Sequence, residues 1–161
     1  MAFYITPEGY KKIVDEYNWL HNTERPRITA EVSYAASLGD RSENSEYLYG
    51  KKRLREIDKR LHFLRTRLEK IEVVDPSKFV GETVRFGATV DIEFSDGTTE
   101  STEQSWTIRG EDEVDMENHV ISYLAPLGQA LIGREPDDVV VFESPRGKRE
   151  ITIVAVRYPR G

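Results

Sequence analysis

Leu54, Ile57, Leu61, Leu64, Leu68 and Ile71 recur at alternating intervals of three and four residues. That is the repeat of a coiled-coil seam, and a stripe this narrow is buried only against another helix. The same chain holds a partner. Tyr10, Ile13, Val14, Tyr17 and Leu20 fall at helical spacing, and Ile28, Val32 and Ala35 resume it beyond Pro26. Thr6 has the chemistry of an N-cap, Pro7 suits the first helical position, and Pro26 is placed to kink the arm before Ser37, Leu38 and Gly39 end it. The connection between the arms is short and contains glycine, so an antiparallel intramolecular hairpin satisfies the seam most economically. Read from Glu46 to Asp75, the second arm would be about 30 residues and on the order of 45 Å long. A seam closed within one chain predicts an elongated monomer.

Pro76, Ser77 and Lys78 break the helical pattern. We place the boundary there, with a coiled-coil finger domain at 1–75 and a small domain at 76–161. The second part reads as strands. Thr83 to Phe94 is rich in β-branched and aromatic residues, Asp96 and Gly97 offer a turn, and Trp106 to Arg109 continues as a strand. Val139 to Phe142 and Ile151 to Tyr158 give two more strands, joined through Pro145, Arg146 and Gly147, and Pro126 to Ile132 reads as a short helix stopped by Gly133. The fold class is α+β: a helical hairpin followed by a curved antiparallel sheet packed on one short helix.

The 161-residue chain is enough for two modest cores, and it has no cysteine. Disulfides and thiolate metal sites are therefore excluded, and His21, His62 and His119 are too scattered for a zinc site. Any metal chemistry must rest on carboxylates. No apolar run approaches the roughly 20 residues that span a bilayer, and the first residues lack the features of a signal peptide, so a cytoplasmic protein with no membrane partner is expected.

The net charge of −6 conceals opposed halves. Residues 1–75 carry 14 Lys and Arg against 13 Asp and Glu, whereas residues 76–161 carry 9 against 16. Within the seam helix, Lys51, Lys52, Arg53, Arg55, Lys59, Arg60, Arg65, Arg67 and Lys70 face only Glu56, Asp58 and Glu69. Such a run can simply solvate the outer face of a coiled coil, but mixed charge would do that equally well, so contact with phosphate or an acidic surface is the competing explanation.

At the turn of the hairpin lie Asp40 and Glu43, three residues apart. This is capping-box spacing, in which Asp40 would cap the second helix and Glu43 would reach back to its start. The alternative is a metal role. Two carboxylates at the end of a projecting hairpin enclose nothing and would bind Mg²⁺ weakly alone, but they could complete a site whose other half a partner supplies. Tyr47 and Tyr49 are expected to pack the end of the hairpin, Trp19 and Trp106 to be packing residues, and His62 to be a surface residue. No phosphate loop, Ser-His-Asp set or nucleophile elbow is present.

The stretch Ala35-Ala36-Ser37-Leu38-Gly39-Asp40-Arg41-Ser42-Glu43-Asn44, followed by Lys51-Lys52-Arg53-Leu54-Arg55-Glu56-Ile57-Asp58, resembles the tip and second helix of the Gre transcript-cleavage factors, the GreB branch above all. Phe86-Gly87-Ala88, Ala125-Pro126-Leu127 and Ala130-Leu131-Ile132-Gly133 resemble the carboxy-terminal signature of the same family. Glu46 and Ser45 depart from the aspartate and alanine common there, and the stretches from Thr98 to Ser105 and from Glu111 to Glu117 fit the pattern less well. The resemblance implies an FKBP-like second domain that docks on the rim of the secondary channel of bacterial RNA polymerase, with the hairpin entering the channel. It implies that Asp40 and Glu43 share a Mg²⁺ ion with the polymerase active site, and that Lys51, Lys52, Arg53, Arg55, Lys59 and Arg60 hold the extruded nascent RNA 3′ end. On that reading the chain is no enzyme alone and stimulates cleavage by the polymerase. Two rivals are a polymerase-binding inhibitor or scaffold of the same architecture and a peptidyl-prolyl isomerase, for which the second half shows no aromatic-rich pocket.

Overall fold

The Thr6 hydroxyl oxygen accepts the Gly9 amide at 3.1 Å, so helix α1 (Pro7–Trp19) starts at the expected cap. This computed structural model describes residues 3–39, 44–95, 101–145 and 147–160. After α1 the arm passes through one π-helical turn, Leu20–Glu24, into α2 (Arg25–Ser37). The Arg25 amide reaches the Leu20 carbonyl, five residues back. Pro26 has no N–H to offer the preceding turn, and its ring would strike the carbonyl four residues earlier. A wider turn immediately before the proline absorbs that misfit, so the interruption read as a kink at Pro26 is a π turn instead.

The second arm, α3 (Ser45–Lys70), has 26 residues and is about 39 Å long. Ile57, Leu61 and Leu64 of the seam are buried, and so are Ile13, Leu20, Ile28 and Ala35 of the first arm. The arms approach closely at Gly50, where a Cβ would lie 2.4 Å from Val32 Cγ2. The helix ends five residues before the expected Asp75. Ile71, the last residue of the predicted seam, begins strand β2 (Ile71–Val73), which pairs with β1 (Phe3–Ile5). A β-branched run at 71, 73 and 74 favours the extended chain once a partner strand is available, and the Val74 amide bonds the Ile5 carbonyl at 2.8 Å.

The chain forms two compact units, Tyr10–Ile71 and Met1–Gly9 with Glu72–Gly161. The first nine residues, which the sequence reading grouped with the finger at 1–75, thus cluster with the second unit. Pairing of β1 with β2 is one cause and Glu113 is another. Its carboxylate accepts the Thr6 amide at 3.1 Å, the Gly110 amide at 2.8 Å and the Thr6 hydroxyl.

The second unit is built on a five-stranded sheet in the order β5-β4-β3-β7-β6, with β3 (Thr89–Ser95), β4 (Ser101–Arg109), β5 (Val120–Ser122), β6 (Val139–Ser144) and β7 (Gly147–Arg157). Four strands are antiparallel as expected, but β5 runs parallel to β4, so the sheet is mixed. Inward residues alternate along the strands: Val90 and Ile92, Ile108, Ile121, and Ile151 and Ile153 meet Val84, Ala88 and Leu131 in one core. Leu131 ends α4 (Pro126–Leu131), the single short helix anticipated here. A bulge sets Asp91 against Ala155 but Ile92 against Ile153, leaving Val154 over. Residues 83–88, read as the start of a strand, form a loop in which buried Val84 exchanges backbone hydrogen bonds with Gly133 and Arg134. The predicted turn at Asp96 and Gly97 lies outside the described residues, as does Arg146 of the β6–β7 turn.

Candidate functional site at the hairpin tip and basic face

Asp40 and Glu43, the candidate metal ligands, lie outside the described residues, and the structure bears on them through the residues on either side. On the α2 side, the Leu38 amide bonds the Ala35 carbonyl at 3.2 Å and the Ser37 hydroxyl bonds the Tyr34 carbonyl at 2.6 Å. Gly39 follows at φ 139°, in the region that favours glycine, so the helix stops there. On the α3 side the N-cap is Asn44. Its Oδ1 accepts the Tyr47 amide at 3.1 Å, while its Nδ2 donates to the Ala35 carbonyl at 2.7 Å. The cap that the spacing offered to Asp40 is therefore supplied by Asn44. The same side chain thus adds a second hydrogen bond to a carbonyl at the end of the facing helix, beside the one from the Leu38 amide.

The basic run divides by helical angle. At 3.6 residues per turn, Lys52, Arg55 and Lys59 point away from buried Ile57, whereas Arg53 and Arg60, two turns apart, flank the seam. The flanking pair is engaged within the unit. Arg60 holds Glu16 of α1 through two hydrogen bonds of 2.7 and 2.9 Å and lies 5.1 Å over the Phe63 ring, and Arg53 is 3.6 Å from Glu56. The Arg60 hydrogen bond outweighs the cost of burial and keeps the Glu16 carboxyl below its usual range. By contrast, Lys51, Lys52, Arg55 and Lys59 are exposed and make no ion pair among the described residues. On the tip side of the Arg60–Glu16 pair, Arg25 and Asp58 bridge the arms at 2.7 Å.

The aromatic expectations divide too. Tyr47 is half-buried at the base of the tip, but Tyr49 is 67% exposed and does not pack the end of the hairpin. It rims an open groove with Tyr34, Glu31, Ser45 and Glu46. Trp106 packs against the sheet core and stacks on His119 at 4.4 Å, whereas Trp19 is half-exposed and His62 exposed. Asn44, Glu16 and Glu113 carry contacts to which the sequence reading assigned no role. For Asn44 a signal existed, because an asparagine directly before a helical run has N-cap chemistry. No local pattern marks the other two.

Two family models match the chain consecutively: the transcription elongation factor N-terminal model over residues 3–73, and the transcription elongation factor GreA/GreB C-terminal model over residues 80–158. Transcription elongation factor GreB of Neisseria meningitidis is 47% identical over 156 residues, covering 96% of this chain and 93% of the relative. The GreB factor of Pseudomonas aeruginosa is 45% identical over 155 residues, covering 96% and 90%. Among solved structures, GreA factor homolog 1 of Thermus thermophilus aligns with 98% of this chain and 99% of its own, at 22% identity and a TM-score of 0.44.

Proposed function

The chain belongs to the GreA/GreB family of transcription elongation factors, and from that premise we propose that it binds bacterial RNA polymerase through the secondary channel and stimulates hydrolytic cleavage of backtracked nascent RNA. The hairpin enters the channel and brings Asp40 and Glu43 to the active centre, while the second unit docks outside. Water attacks a phosphodiester near the RNA 3′ end, the bond to the downstream fragment breaks, and the shortened transcript regains a reactive 3′ hydroxyl. The chain has no hydrolytic activity alone, works as a monomer, and acts in the cytoplasm with the polymerase. No helix among the described residues is long and apolar enough to cross a membrane.

The observation that supports the tip reading best is the cap at Asn44. With that amide acceptor in place, the N-cap of α3 depends on neither Asp40 nor Glu43. Their chemistry suits a hard cation: two anionic oxygen donors match what Mg²⁺ prefers, and two alone bind weakly, as a shared site requires. When bound, Mg²⁺ supplies water activation and charge stabilisation at the attacked phosphate. The outward row of Lys52, Arg55 and Lys59, with Lys51 beside it, then offers exposed cations to the phosphates of the extruded RNA, whereas Arg53 and Arg60 contribute mainly through the hairpin.

Asp40→Asn and Glu43→Gln test this on stalled elongation complexes with the RNA sized. Both amides preserve the shape of the side chain and remove the negative charge. Cleavage should fall by at least about tenfold in each, since even an outer-shell partner of a metal ligand is worth about 10–100-fold. Thermal stability and competition for polymerase should persist, and excess Mg²⁺ should restore part of the activity. Wild-type cleavage by either variant would remove that carboxylate from the site.

A further inference from the structure

We infer that Asn44 is a positioning residue for cleavage, because its amide staples the start of α3 to the end of α2, the two helix ends between which Asp40 and Glu43 lie in the sequence. This rests on the proposed function and deepens it. The Ala35 carbonyl is the node. It receives the Leu38 amide at 3.2 Å and Asn44 Nδ2 at 2.7 Å, and Ala35 itself is 1% exposed, so the node is anchored in the packed interior of the hairpin. From the other end, Asn44 is held by its own helix, with Oδ1 on the Tyr47 amide and its carbonyl accepting the Leu48 amide at 3.0 Å. A single planar side chain thereby links Ala35 of α2 to the first turn of α3, donating from Nδ2 and accepting at Oδ1.

The two bonds have separable purposes. A cap needs only the Oδ1 acceptor, and aspartate and serine supply it about as well as asparagine. The cross-helix bond needs a donor at the far end of the side chain. Among the residues that cap well, only asparagine has both, since aspartate offers no N–H and serine is too short to span the gap. Without the staple, α3 can still start at Ser45, but the hydrogen bond that ties its first turn to α2 is lost, and with it the support that the proposed site draws from the two helix ends. A displacement of about 1 Å in a reacting assembly can cost on the order of 100-fold.

Asn44→Asp, Asn44→Ser and Asn44→Ala, made in the full-length chain, separate the two roles. Helicity and thermal unfolding report the cap, and maximal RNA cleavage at saturating protein reports the staple, with competition for polymerase as a binding control. Aspartate and serine should keep the unfolding profile of asparagine and bind polymerase equally, yet their maximal cleavage rate should drop about 10–100-fold, beside alanine. The neutral serine guards against an effect of the added charge in aspartate. Wild-type cleavage by the aspartate and serine variants, with a loss only in alanine, would reduce Asn44 to a cap and overturn the inference. Asp40→Asn measured in parallel keeps the outcomes distinct. If it also cleaves normally, the tip reading fails as a whole; if it is inactive while Asn44→Ser is active, only the staple fails.

Discussion

Glu113→Ala should be among the most destabilising single changes in the second unit. The carboxylate accepts three backbone or side-chain donors, the Thr6 amide, the Thr6 hydroxyl and the Gly110 amide, and both Thr6 and Gly110 are buried. Each buried donor left without an acceptor costs about 1–3 kcal/mol. Water entering the space left by the side chain recovers part of this, so the net loss is on the order of 3 kcal/mol. For a unit of this size 1 kcal/mol moves the melting temperature by about 4–8 °C, so scanning calorimetry should place the variant at least about 10 °C below wild type. Glu113→Gln should lose less than about 1 kcal/mol, because one oxygen still serves the two amides and the new N–H₂ can donate to the Thr6 hydroxyl after it rotates. An Ala variant melting within about 2 °C of wild type, or a Gln variant as damaged as Ala, would refute this account of how the first residues are held.

Replacing Lys52, Arg55 and Lys59 together with alanine should lower cleavage of deeply backtracked RNA more than cleavage of short backtracks, and should flatten the salt dependence of the log–log plot by about 2, from about 0.7 for each lost contact to a single strand. Equal loss on both substrates, or none, would return these cations to solvating the helix. The Glu16–Arg60 pair should show in acid. Because the Glu16 carboxyl is held below its usual range, the pairing stabilises the folded hairpin above the unfolded-state value of about 4.3 and is lost as pH falls through the lower folded value. Melting measured from about pH 5 to about pH 3 should therefore decline more steeply for wild type than for Glu16→Gln, and parallel curves would exclude the pair as a source of stability.

Much of the fold is legible because burial has a period. The seam leucines repeat at helical intervals, the strand residues alternate, and Ile57, Leu64, Ile92 and Ile153 all lie in the cores that those periods imply. Departures occur where a short element depends on a distant partner. Ile71 continues the heptad count, yet its strand pairs with β1, 66 to 68 residues earlier in the sequence, and nothing local announces that partner. Strand β5 has three residues and runs parallel to β4 after two 3-10 turns, too short for any alternation to register. At Pro26 the sequence marks the disturbance but not its form, since a kink and a π turn both relieve the same missing hydrogen bond.

The site is legible in its chemistry and less so in its division of labour. Two carboxylates at a hairpin turn can be read as acids available to a cation, but the same spacing fits a cap whenever the helix start is uncertain by one turn. Here the first seam residue, Leu54, lies ten residues beyond the cap at Asn44, so the apolar period that locates helices leaves this start open. Shifting the start from Asp40 to Asn44 changes which residue caps and therefore which residues are left over. The basic run presents the same difficulty in another form. Nine cations against three acids is a statement about a segment, whereas availability depends on angle around the helix and on partners elsewhere in the chain. Glu16 lies on another helix, 44 residues from Arg60, and accepts from the Nε and Nη2 edge of its guanidinium. A charge count places Arg60 beside Lys59 as an equal ligand for phosphate. The hairpin puts them on different faces, so a phosphate reaching Arg60 must compete with a carboxylate already held by two hydrogen bonds, while Lys59 meets it directly.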